Sequence, residues 1–122
     1  MYWYFIYICS MYSKELLKGT LSTIILSLLD DNRKMYGYEI FQKVKELSDG
    51  KILLKDGSLY PTLQKLNKQG LLSFEEEYIG KRVRKYYYLT KEGKKMRVDH
   101  LDELRDFIAT IQKIVFKDFQ IA

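Results

Sequence analysis

The residue types that carry most nucleophile and metal chemistry are almost missing. The 122-residue chain has one cysteine, Cys9, and one histidine, His100. A single cysteine excludes an internal disulfide framework and fits a reducing compartment, so a cytoplasmic location is expected. Neither a cysteine/histidine zinc cluster nor a Cys–His pair of local spacing can be built from one of each. No GxGxxG or GKS/T phosphate loop occurs. The consecutive acids Glu75, Glu76 and Glu77 fall on an expected strand, where such a run faces water. His100 opens an apolar stripe and reads as a surface or interface residue. No catalytic residue, cofactor or metal site is expected, and the chain does not read as an enzyme.

A membrane-spanning run is missing too. The apolar stretch at 1–10, MYWYFIYICS, is too short to cross a bilayer and lacks the basic start of a secretory leader. It reads as an upstream-extended start ahead of Met11 or as a short segment docked on the fold. Anchoring at a membrane is the weaker reading, because no basic residue precedes Lys14.

The chain is about one domain long. Its charge of +5 is unevenly placed. Residues 99–122 hold Arg105, Lys113 and Lys117 against Asp99, Asp102, Glu103, Asp106 and Asp118, a net of −2, so residues 1–98 carry +7. That basic part suits an anionic partner without proving one.

Apolar spacing predicts mostly helices. In 15–29, Leu17, Leu21, Ile24 and Leu28 share one helical face, widened by Ile25 and Leu29, with Ser13 as cap. Tyr36, Ile40, Val44 and Leu47 form the inner face of a second helix that Gly50 closes. A third places Leu59, Leu63 and Leu66 inward and ends at Gly70. With Ser58 as its N-cap, Pro61 sits at the third helical position, where no intrahelical N–H bond is needed, and this start is the one expected. Strands are predicted at 71–78 and 83–89 around a turn at Gly80. Thr90 caps a last helix on which Leu101, Leu104, Ile108, Ile111 and Val115 repeat at three and four. A compact domain has little left to cover that stripe, so a second subunit is the expected cover, with packing on the first helix an alternative. The expected fold class is α+β, mainly α.

The order of a short helix, a glycine stop and two strands joined by a basic turn carries the functional reading. Opposite its leucines the third helix presents Ser58, Tyr60, Thr62, Gln64, Lys65 and Lys68, short hydroxyls and cations able to meet phosphate or base edges. An ordinary solvated face is the alternative, and for Tyr60 it is packing on the preceding helix. Lys81, Arg82, Arg84 and Lys85 crowd the hairpin tip. Strand alternation puts Arg82 and Arg84 on one face and Lys85 with Val83 on the other. Such a tip suits a phosphate backbone with salt-sensitive affinity, or is simply solvated.

In the blocks KELLKGTLSTIILSLL, MYGYEI, DGSLYPTLQKLNKQGLL and GKRVRKYYYLTKEGKK, in that order and spacing, the chain resembles the PadR family of winged helix-turn-helix transcriptional regulators over roughly residues 14–115. Its single terminal helix is similar to the short subgroup. The resemblance implies a bacterial homodimer, joined through the terminal and first helices, that represses from a near-palindromic operator. It divides the chain into an extension at 1–12, a winged helix-turn-helix domain at 13–90 and a dimerisation helix and tail at 91–122. It implies a recognition helix at 58–69 with Ser58, Tyr60, Thr62 and Lys65 facing DNA. Lys14, Tyr38, Gln42 and Lys45 would flank it, and Lys81, Arg82 and Arg84 would be wing contacts. Leu101, Leu104, Ile108, Ile111 and Val115 would dimerise. Val83 interrupts the basic run usual in the wing. Some short members hold flat aromatic drugs on a terminal-helix indole; here Leu104 lies near that place and Phe107 is the nearest aromatic, leaving a small-molecule effector open. An interaction module, or a ligand-binding scaffold without specific DNA recognition, is the rival reading.

Overall fold

The computed structural model describes residues 12–29 and 33–118. The run at 1–10 therefore lies outside the described residues. Among the described residues five helices and one hairpin follow in order: α1 (Lys14–Lys18), α2 (Leu21–Leu28), α3 (Gly37–Leu47), α4 (Asp56–Lys68), β1 (Leu72–Ile79), β2 (Arg82–Leu89) and α5 (Lys91–Val115). The architecture is mixed α+β and mainly helical, with an antiparallel two-stranded sheet.

Ser13 caps the first helix as expected, its Oγ accepting from the Leu16 N–H. The expected single helix over 15–29 is instead two. Gly19 ends α1, and Thr20 donates its N–H and its hydroxyl to the Leu17 carbonyl. That tightening turns the axis before α2 begins. The core face shifts accordingly: Ile25, Leu26 and Leu29 are fully buried, whereas Leu21, Ile24 and Leu28 only pack against the core. The reason is that α2 lies against both α4 and α5.

Ile40 and Val44 of α3 are buried as their spacing predicts, but Leu47 is 66% exposed. It falls in the last turn, beyond the reach of the core. Leu59, Leu63 and Leu66 of α4 are all buried.

The start of α4 corrects the sequence reading. The helix begins at Asp56, with Lys55 as cap and Ser58 already inside it. The Lys55 carbonyl takes the N–H groups of Ser58 and Leu59 at 2.9 and 2.8 Å. Pro61 therefore sits inside the helix and denies the Gly57 carbonyl its usual donor. Both residues are exposed, so water can serve that oxygen. At the other end Gly70, at φ +79°, lets Leu71 donate back to the Leu66 carbonyl at 3.0 Å and stops the helix.

In the hairpin Leu72 opposes Leu89 and Ile79 opposes Arg82, leaving Gly80 and Lys81 as a two-residue turn. Gly80 has φ +63° as the first central residue, which the tight hairpin turns require. Met35 adds a short third edge, exchanging backbone bonds with Tyr87 at 2.8 and 3.0 Å. Of the three tyrosines in β2, Tyr87 is buried and Tyr86 and Tyr88 are half-buried, as alternation predicts.

Thr90 joins the wing to the last helix. Its hydroxyl accepts from the Gly93 N–H at 3.0 Å and donates to the Gly70 carbonyl at 2.6 Å. The first half of α5 packs on α2: Arg97 reaches the Leu29 carbonyl at 3.4 Å, and His100 Nδ1 stands 3.5 Å from the Thr23 hydroxyl. His100 is thus a half-buried contact between helices. The far half of α5 leaves Phe107, Ile108, Ile114 and Val115 exposed.

Candidate nucleic-acid interface

A groove of about 890 Å³ runs between α1–α2 and the first three turns of α4. It brings together four residues of the sequence reading: Lys14 from α1, and Ser58, Thr62 and Lys65 from α4. Two cations the sequence reading missed line it as well, Lys18 and Lys55. Lys18 stands one helical turn beyond Lys14, and Lys55 immediately precedes α4. Those positions were the available signal. Among the described residues no carboxylate lines the groove. Its floor is apolar, with Leu17, Leu21, Ile24 and Pro61 among the walls. Four ammonium groups without a lining acid make a site suited to an anion.

The α4 hydroxyls are not equally available. Thr62 donates its Oγ1 hydrogen to the Ser58 carbonyl at 2.7 Å, keeping only acceptor capacity for a ligand. Ser58 is exposed in the first turn, where the helix N–H groups lack a side-chain cap. The Tyr60 ring lies directly on Gly37, so that a Cβ there would meet the ring at 2.7 Å. This contact locks the start of α3 onto α4 and still leaves Tyr60 42% exposed. Packing and ligand contact are therefore compatible for this residue.

Tyr38, Gln42 and Lys45 of α3 are not part of the groove. Gln42 donates to the Tyr38 hydroxyl at 2.6 Å, which orients a ring that is 56% exposed. Lys45 is exposed in the last turn of α3.

On the wing, Lys81 and Arg82 are exposed at the tip. Arg84 and Lys85 point to opposite faces, and each covers a ring. The Arg84 guanidinium lies 4.4 Å from the Tyr36 centroid, and the Lys85 ammonium 4.7 Å from that of Phe74. The Arg84 pKa is raised further, mainly by its side-chain contact with Tyr86. Burial pushes the Tyr87 hydroxyl up, and the nearby Tyr60 adds to the rise. Lys34 pairs with Glu75 at 2.6 Å, so one of the three consecutive acids is engaged beside the strand. Among the described residues no group of three or more His, Cys, Asp or Glu side chains could hold a metal ion. Nor is any described helix long and apolar enough to cross a membrane.

Comparison with known proteins agrees with this arrangement of helices and hairpin at the level of the family. Residues 25–98 match the transcriptional regulator PadR-like family. The chain belongs to that family. An uncharacterised protein from Lysinibacillus sphaericus is 31% identical, the match covering 86% of this chain and 93% of that protein. The structure of a transcriptional regulator from Clostridium thermocellum superposes with a TM-score of 0.77 at 30% identity, over 84% of this chain and 99% of that one. Bacillus subtilis PadR, solved in complex with operator DNA, is 34% identical with a TM-score of 0.60. That match covers 67% of this chain and 46% of the B. subtilis protein, so the chain spans about half of that PadR's length. PadR-like membership places the chain among transcriptional regulators and not among enzymes.

Proposed function

We propose that this PadR-like chain is a homodimeric, sequence-specific DNA-binding repressor acting in the cytoplasm on a near-palindromic operator. The observation that carries the reading is the groove in which Lys14, Lys18, Lys55 and Lys65 stand around the exposed first turns of α4, with no carboxylate in its lining among the described residues. The operator complex of B. subtilis PadR supports it. In this reading residues 13–90 bind DNA and 91–122 dimerise. Ser58, Tyr60, Thr62 and Lys65 meet the groove of the duplex, while Lys14, Tyr38, Gln42 and Lys45 hold the flanking backbone. Lys81 and Arg82 reach the backbone from the wing tip. Leu101, Leu104, Ile108, Ile111 and Val115 form the seam between subunits, which sets two α4 helices about one duplex turn apart. Repression then follows from steric occupancy of a promoter, and a small-molecule effector that changes the spacing of the two helices would relieve it.

The test is selection of genomic and random duplexes by the purified protein, followed by titration of the winner at several salt concentrations. An enriched inverted repeat with half-sites about one turn apart is expected. Replacing Lys81 and Arg82 together by alanine should weaken binding to every sequence and flatten the salt slope by roughly one for each phosphate no longer neutralised. A stable dimer that enriches no sequence would move the assignment to a protein-interaction module.

A further inference from the structure

The four cations of the wing do different things. Lys81 and Arg82 extend from the tip, whereas Arg84 is set on an aromatic row that belongs to α3. The Tyr36 ring beneath it meets Tyr86 edge-on, at 5.3 Å and 64°. Tyr36 also stacks with Tyr38 at 6.4 Å, and Tyr38 with Phe41 at 6.2 Å. Strand alternation explains the meeting. Met35 pairs with Tyr87 toward the core, so its neighbours Lys34 and Tyr36 turn to the opposite face of the hairpin. Arg84, Tyr86 and Tyr88 occupy that same face. Lys34 lies 5.5 Å from the Tyr88 ring, in line with this placement.

Tyr36 is a joint of three elements. Its N–H is held by Glu39 Oε1 at 3.1 Å, closing the cap of α3. The residue before it is bonded to β2, and the residue after it, Gly37, is the seat of the Tyr60 ring of α4. A group fixed on the Tyr36 ring is thereby referenced to the wing, to α3 and to the recognition helix at once.

We propose that Arg84 is a positioning residue, whose guanidinium on Tyr36 sets the pitch of the wing against α3 so that Lys81 and Arg82 arrive at the backbone beside the recognition helix. Its consequence for DNA rests on the reading above; the clamp itself does not. The lever is long enough to matter. Three to four residues separate Arg84 from the tip, roughly 12 Å of strand, so a tilt of about 10° at the base carries the tip about 2 Å. The planar fork is what the site uses, and a lysine at the same place would keep the charge without the stacking surface.

Two measurements test the assignment. In the absence of DNA, hydrogen exchange of the β1–β2 amides should accelerate in Arg84→Ala, in Arg84→Lys and in Tyr36→Leu, with far-UV circular dichroism unchanged. Exchange unchanged in the two Arg84 variants, which alter an exposed side chain and leave the fold intact, would overturn the proposal. On the selected duplex, Arg84→Ala and Arg84→Lys should each lose affinity several-fold with the wild-type salt slope retained. Lys81→Ala should flatten that slope by roughly two for the two wings of a dimer. Tyr36→Leu removes no charge, yet should reproduce the Arg84→Ala loss, and the double variant should lose no more than either alone. A slope flattened by Arg84→Ala and restored by Arg84→Lys would make Arg84 a phosphate contact instead. Should the wild type select no duplex, the DNA reading fails while hydrogen exchange still decides the clamp.

Discussion

Gly93 lies buried in the first turn of α5, where it meets the loop that ends α4. A Cβ at this position would collide with the Leu71 carbonyl and come within 3.2 Å of a Leu89 methyl. The carbonyl cannot withdraw, because it accepts from the Thr90 N–H at 3.1 Å. Gly93→Ala should therefore cost about 3 kcal/mol, read as a lowered denaturant midpoint at constant slope. A midpoint within error of the wild type would show that α5 can slide. Tyr87 acts through its proton. Burial raises its pKa above the ordinary 10.0, so the folded state holds the phenolic proton more tightly than the unfolded chain does. The contribution is intact below pH 10 and is lost as pH climbs through the raised value. Tyr87→Phe should flatten the alkaline fall in stability relative to wild type, above pH 10 only. An equally steep fall would assign it to other groups.

At the scale of elements, the break between α1 and α2 is a matter of one turn. Gly19 has φ −74° and ψ −14°, helical values open to any residue, and a Cβ there would meet nothing within 4 Å. Gly19→Ala should stabilise the protein by about 0.5–1 kcal/mol through the unfolded chain, raising the melting temperature. A fall in melting temperature would mean that the break is needed for packing. The same element shows what spacing can and cannot tell. Leu59, Leu63 and Leu66 were legible because their burial follows from helical period alone, and so was the cap at Thr90. The beginning of α4 was not. Ser58 is a better cap by residue type, yet the carbonyl of Lys55 collects the first amides, and solvent tolerates Pro61 inside the helix.

At the scale of the whole molecule, α5 is covered on one half and bare on the other. Ile108 is 50% exposed with Phe107 beside it, and the stripe continues to Val115. Ile108→Asp changes an exposed position, so the subunit should fold normally, sediment as a monomer and bind a selected duplex much more weakly. A dimer that persists would place the seam elsewhere. The candidate interface is also a property of the whole fold. Lys14 and Lys65 line one groove only because α2 packs on α4 and brings α1 to the same side, and nothing in their spacing along the chain requires it.

What this sequence determined by itself is what depends on neighbours along the chain: helical faces repeating at three and four, alternation that sends Arg82 and Arg84 one way and Lys85 the other, and a turn at Gly80. These follow from the fixed periods of the backbone. The tertiary structure alone decided which cations stay free. Arg84 rests on Tyr36, 48 positions earlier, while Lys18 and Lys55 join a groove that no local pattern encloses. Those relations depend on how the elements pack, and the period of a single element carries no record of its partner.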